Sequence, residues 1–117
     1  MGMNNIIYKI EDAKVWTDAQ ALGHYAGSPL DLADGFIHMS TSAQVRETAG
    51  KWFAGKADLV LVGVDSDALA GALKWEVSRD GALFPHIYAA LPMNAVLCVT
   101  PMPLGETGLH IFGPEIA

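Results

Sequence analysis

"LKWEVSRDGALFPHIYA", residues 73–89, decides the fold class. Leu73, Trp75 and Val77 alternate with Lys74 and Glu76, the period of a strand with two unlike faces. "SRDG" is a hairpin-style turn, and "LFPHIYA" is a second strand. Pro85 donates nothing to a ladder, so that strand is expected at an edge or starting at a bulge. A strand–turn–strand here breaks any regular strand–helix alternation, and with it a doubly wound fold.

Working outward, the remaining segments fit that frame. "ADLVLVGVD" (57–65) is apolar on both faces and is expected as a central strand. "NAVLCVTPM" (94–102) is a further strand, and the Gly-rich "GETGLHIFGPEIA" (105–117) is a tail that could add an edge strand. "NNIIYKI" (4–10) reads as the first strand, with Ile7 and Lys9 on one side and Ile6, Tyr8 and Ile10 on the other. "DAKVWTDAQALG" (12–23) is a helix with Val15, Ala19 and Leu22 on one face, Trp16 beside them, and Gly23 as its stop. "HYAGSPLDLADG" (24–35) is a loop rich in turn formers. "FIHMS" (36–40) is a short strand. Thr41 and Gln44 then have the form of a capping box, opening a helix with a stripe of Val45, Ala49, Trp52 and Phe53. "SDALAGA" (66–72) is at most a helical turn. The expectation is an α+β single domain over 1–117. Its sheet is mixed but mostly antiparallel, in one piece or split, with the helices of the N-terminal half packed beside it.

Of the 117 residues, 51% are hydrophobic and 17% charged, enough apolar material for a core. Seven Lys and Arg face 13 Asp and Glu, a net charge of −6, and no basic stripe exists to neutralise a phosphate backbone. Nucleic-acid binding is therefore not expected. The start carries no secretory pattern and no stretch is long enough to span a bilayer, so a cytoplasmic protein without a membrane partner is expected. Cys98 is the sole cysteine and lies in an apolar strand, where a buried, inert thiol is expected.

Candidate chemistry gathers at two places. Phe36, His38 and Ser40 share one strand face, and Ile37 and Met39 share the other, purely apolar one. His38 then looks toward a cleft. Ser40, Thr41 and the helix start beside it could cradle a phosphate or carboxylate. The plain alternative is a histidine bonded to a loop carbonyl. In the second cluster, Glu76 could stabilise positive charge on a sugar carbon. His86 and Tyr88 share a face with Phe84, and Tyr88 or Trp75 could stack on a planar ring. The plain alternatives are core packing for Trp75 and a solvated Glu76 paired with Lys74 or Arg79. The histidines at 24, 38, 86 and 110 have no metal-ligand spacing, so no metal is expected. No nucleophile elbow, P-loop or G-x-G-x-x-G occurs. His24 and His110 are assigned no role.

"IYKI", "GSPLDLADGFIHMSTSAQV", "DLVLVGVD" and "LKWEVSRDGALFPHIYAALP" together resemble the bacterial domain-of-unknown-function 952 family over nearly the whole chain. That family is distantly similar to the ADP-ribosyltransferase superfamily, in particular its RNA 2′-phosphotransferase branch, in which a split sheet clamps NAD. The resemblance implies an ADP-ribosyltransferase-like fold and transferase chemistry on NAD or an ADP-ribosyl compound. NAD would then be a substrate. "HMS" is similar to the phosphotransferase pattern of His, apolar, Ser, which puts His38 at the second-strand position. Lys9 in "YKI" stands where a first-strand histidine is usual, and would touch a phosphate or amide. Glu76 and His86 compete for the third position. The implied ligand is small and anionic or nucleotide-like, held by Lys9, Ser40, Thr41, Trp75 and Tyr88 around catalytic His38, Glu76 and His86. The alternative is a metabolite-binding or interaction domain without turnover.

Overall fold

The computed structural model describes residues 6–78, 81–114 and 116. β1 (Ile6–Asp12) pairs with β4 (Leu59–Asp65), and β4 with β8 (Val96–Met102), in the order β1-β4-β8. β5 (Leu73–Val77) and β6 (Leu83–Ile87) form the hairpin, and β3 (Ile37–His38) completes a second sheet in the order β3-β6-β5. β2 (His24–Tyr25) and β7 (Leu91–Pro92) make a two-stranded ribbon. Each of these ladders is antiparallel. The architecture is α+β, and a bridge between Tyr8 and Ser40 links the two larger sheets. No described helix is long and apolar enough to cross a membrane.

β4 is central because both of its faces are covered. Val62 and Val64 join Ile7, Trp16, Tyr25, Ile37 and Ile87 in one core. Leu59 and Leu61 join Tyr8, Ile10, Val45, Ala49 and Met102 in the other. Gly63 lies at a register shift against β8, where a Cβ would stand 2.6 Å from the Cys98 sulfur, so a larger residue there would push the Cys98 side chain aside.

Helix α1 (Ala13–Leu22) starts where Asp12 accepts from the Lys14 and Val15 N–H groups. It ends at Gly23 in the left-handed region. Its buried face is Trp16 and Ala19, while Val15 and Leu22 are exposed. The expected face is thus rotated, because the Trp16 ring packs on Tyr25 at 5.4 Å and turns that side inward. Helix α3 (Val45–Trp52) buries Val45 and Ala49 but leaves Trp52 61% exposed. Only half of the capping box forms: the Thr41 N–H donates to the Gln44 side-chain oxygen, and the helix itself begins one residue later.

Several expectations need correcting. The loop of 24–35 contains β2 and a short helix, α2 (Pro29–Asp34). Ser28 and Asp31 make a reciprocal capping box with Pro29 at the first turn, a signal present in "SPLD". β6 is a middle strand despite Pro85. The Pro85 carbonyl accepts the Met39 N–H on the β3 side, so the missing donor also faces that side, where β3 has already ended at His38. Cys98 is exposed on the edge strand β8, with Leu97 beside it also exposed, so it is not a core thiol. The tail adds no strand to any of the three sheets among the described residues; His110 bridges back to Leu104, and Ile116 is buried. "SDALAGA" is a 3-10 segment broken at Ala70. The turn residues Arg79 and Asp80, and with them the Glu76–Arg79 pairing, lie outside the described residues, as do Asn4 and Asn5 of the first strand segment.

Candidate functional site

The site grows from one register. β3 and β6 pair so that His38 lies opposite His86, and side chains at opposite positions share a face. The two imidazoles stand 5.5 Å apart, edge to face. Phe36 stacks on His86 at 4.1 Å and lies 4.6 Å from His38. Ile37 and Met39, on the other face, are buried in the core.

β5 supplies the carboxylate behind His86. Lys74 is opposite His86 and Glu76 opposite Phe84, so Glu76 is the diagonal neighbour of His86. Its Oε1 lies 2.7 Å from His86 Nδ1 and accepts the Tyr88 hydroxyl at 2.6 Å. The Tyr88 hydrogen bond, followed by the one from His86, holds the Glu76 carboxyl below its ordinary range, and Tyr88 is pushed above its own by the same bond. Lys74 sits over the Tyr88 ring, 4.9 Å from its centroid. An ionised carboxylate only accepts, so the Nδ1 facing it carries the proton. With Nδ1 turned to Glu76, Nε2 is the polar edge His86 offers to the cleft.

α2 supplies the carboxylates around His38. Asp31 Oδ1 lies 2.6 Å from His38 Nδ1 and accepts the His38 backbone N–H at 3.1 Å. Asp31 Oδ2 accepts from Lys9 Nζ at 2.8 Å and from the Ser28 N–H at 2.9 Å. Asp34 stands 3.0 Å from His38 Nε2. The Asp31 side chain is only 1% exposed. Burial works to raise its pKa, but the His38 bond, the Lys9 charge and bond, and the Ser28 N–H together hold it far below the ordinary range.

A cleft of about 520 Å³ opens over this network, with His38, His86, Lys9, Asp31 and Ser40 among its walls. Glu11 lies there too; its carboxylate accepts the Asp12 N–H at 2.7 Å and the Tyr25 hydroxyl. Burial first, and then the Glu11 bond and charge, push Tyr25 far above its ordinary range.

The expected residues fall into two groups. His38, His86, Lys9 and Ser40 line the cleft, with Glu76 and Tyr88 joined to it through His86. Tyr88 itself lines a smaller hollow of about 230 Å³ that shares Asp31 with the cleft. Two of the three Lys9 ammonium donors go to Asp31 and the His38 carbonyl, so its charge is already paired within the protein. Trp75 and Thr41 are not in the cleft wall; Trp75 is 48% exposed on the opposite face of β5, so it is not core either. No anion cradle forms at the start of α3, because the cleft meets the later part of that helix, at Thr48 and Trp52, and Gln44 already takes the Thr41 N–H. Asp31, Asp34 and Glu11 went unread as site residues, whereas Phe36 was placed beside His38 by the strand alternation. Only Asp31 had a usable signal, its capping-box spacing from Ser28. Among the described residues no group of three His, Cys, Asp or Glu is placed to hold a metal ion.

A family model described as "Protein of unknown function (DUF952)" matches residues 10–99. No curated protein matches the chain. The X-ray crystal structure of protein CC0527 from Caulobacter crescentus is similar, at 45% identity and a TM-score of 0.91, covering 95% of this chain and 97% of that one. The solution NMR structure of CC0527 is similar at 47% identity and a TM-score of 0.82, covering 90% of each chain.

Proposed function

The chain belongs to the DUF952 family, whose function is unknown, and we propose that it binds NAD or a related ADP-ribosyl compound in this cleft and transfers or cleaves the ribosyl group. One observation carries the reading: two imidazoles 5.5 Å apart in one cleft, each with a carboxylate on Nδ1. A histidine oriented in this way by an acidic partner is the arrangement of a general acid or base.

The bond from the ribose carbon to the nicotinamide nitrogen breaks, and its electron pair leaves with the nicotinamide, whose ring becomes neutral. A bond forms from that carbon to an acceptor oxygen, and His86 Nε2 takes the acceptor's proton. Water as acceptor gives hydrolysis. The ribose centre is oxocarbenium-like, so the Glu11 carboxylate in the wall favours it. Glu76 acts as a positioning residue for His86. His38, held by Asp31 on Nδ1, bonds a ribose hydroxyl through Nε2 once that hydroxyl displaces the exposed Asp34 carboxylate. The two sheets joined at Tyr8 and Ser40 support an ADP-ribosyltransferase-like fold, since a split sheet is that superfamily's clamp.

The test is incubation with NAD, following nicotinamide by chromatography and binding by calorimetry. The expected result is nicotinamide release, lowered about 10²- to 10⁴-fold in His86→Ala. Glu76→Gln keeps a half-exposed position and lowers turnover with a smaller effect on binding. Folded protein that neither binds NAD nor releases nicotinamide overturns the reading. A second reading, binding without turnover, has its own observation: the Asp31 and Glu11 carboxylates are already bonded within the protein. Ligand that binds and returns unchanged decides for it.

A further inference from the structure

The walls of the cleft differ between floor and mouth. Lys9, Asp31, Ser40 and His86 at the floor are buried and bonded to one another or to neighbours. Trp52, Leu30 and Lys56 are exposed residues of the same wall, and they mark the mouth. Trp52 ends α3, whose core contacts are made by Val45 and Ala49, so its indole does not serve the packing of that helix. A large exposed ring at the rim of a cleft is a stacking platform awaiting a planar partner.

Lys56 belongs to the same wall. Its ammonium lies 5.7 Å from the Phe53 ring centroid, and no carboxylate of the described residues is in salt-bridge range of it. Lys9, the other lysine of the wall, is neutralised by Asp31. The Lys56 backbone is also fixed: its carbonyl is 2.8 Å from His110 Nε2, its N–H donates to the Phe53 carbonyl at 2.9 Å, and the Gly55 N–H donates to the Gly108 carbonyl at 3.1 Å. The tail thus holds the base of a long cationic side chain at the mouth.

We infer that the mouth of the cleft is a subsite for an organic phosphate bearing a planar heteroaromatic ring, with the ring on Trp52 and the phosphate on Lys56. This rests on the reading of the floor as a ribosyl site, and it places the two outer parts of a nucleotide around the sugar. The ring needs only a π face, so Trp52 gives affinity without choosing strongly among bases. Lys56 gives a point charge, so its contribution weakens with salt.

Binding of three probes by calorimetry tests it: adenosine, ribose 5-phosphate and ADP-ribose. Trp52→Ala should weaken adenosine and ADP-ribose about 5- to 150-fold and spare ribose 5-phosphate. Lys56→Ala should weaken ribose 5-phosphate and ADP-ribose about tenfold, more at low salt, and spare adenosine. Both positions are exposed, so both variants should melt like the parent protein. If ADP-ribose binds parent and variants alike, or the parent binds none of the probes, the subsite is overturned. If the probes behave as stated but NAD gives no nicotinamide, the ribosyl chemistry fails and the subsite stands. If NAD is turned over and its KM ignores both substitutions, the reverse holds.

Discussion

The Glu76 carboxylate shows how a single side chain acquires its role from neighbours. One of its oxygens is shared by a ring N–H and a phenol O–H, and the phenol does most to keep the carboxyl ionised. Tyr88→Phe should therefore raise the Glu76 pKa toward its ordinary value, read from the side-chain carboxyl resonance across an acid titration. An unmoved titration would mean that Tyr88 does not govern the carboxylate. At this scale the sequence was informative on strands. Period-two alternation put Phe84, His86 and Tyr88 on one face and Phe36 and His38 on another, and those faces meet. It was uninformative on Lys9, because a pattern shows which side a lysine faces but not which carboxylate receives it.

Among the elements, α2 carries the most consequence for its size. Six residues hold Asp31 against His38 and Lys9, and glycines in the left-handed region stand before and after them, Gly27 at φ 115° and Gly35 at φ 87°. An alanine at either position meets left-handed strain of about 1–2 kcal/mol. At Gly27 the added Cβ would also stand 2.7 Å from the Asp31 Cβ, whereas at Gly35 nothing lies within 4 Å. Gly27→Ala should therefore destabilise by about 1–3 kcal/mol more than Gly35→Ala, measured by urea unfolding. Equal effects would show that α2 shifts freely and does not position Asp31 tightly. The short helix escaped the reading by composition because turn formers and helix starters are the same residues. Only the Ser28–Asp31 spacing separates them.

For the whole molecule, Asp31 is a junction. It ties β1 through Lys9 to β3 through His38, with α2 between them. Its carboxyl titrates lower in the folded chain than in the unfolded one, so the unfolded state binds more protons near the ordinary carboxylate range. The contribution to stability is full above about pH 4 and is lost as pH falls through the unfolded value toward the folded one. Urea midpoints from pH 7 to pH 3 should fall with acid, and Asp31→Asn should flatten that slope. At pH 7 the same substitution leaves Lys9 buried without its counter-charge and should cost about 3–5 kcal/mol. A slope identical to the parent's would remove Asp31 as the acid-sensitive tie.

The sequence by itself determined the types of the longer strands and helices, the central place of β4 and the α+β class. Each of these follows from local periodicity and from apolar residues on one or both faces. Only the tertiary structure decided that Trp52 is exposed, that Pro85 sits in a middle strand and that Asp31 unites Lys9 with His38. These depend on which elements pack together. That choice is made by summed burial over residues far apart in the chain, and no window of sequence contains it.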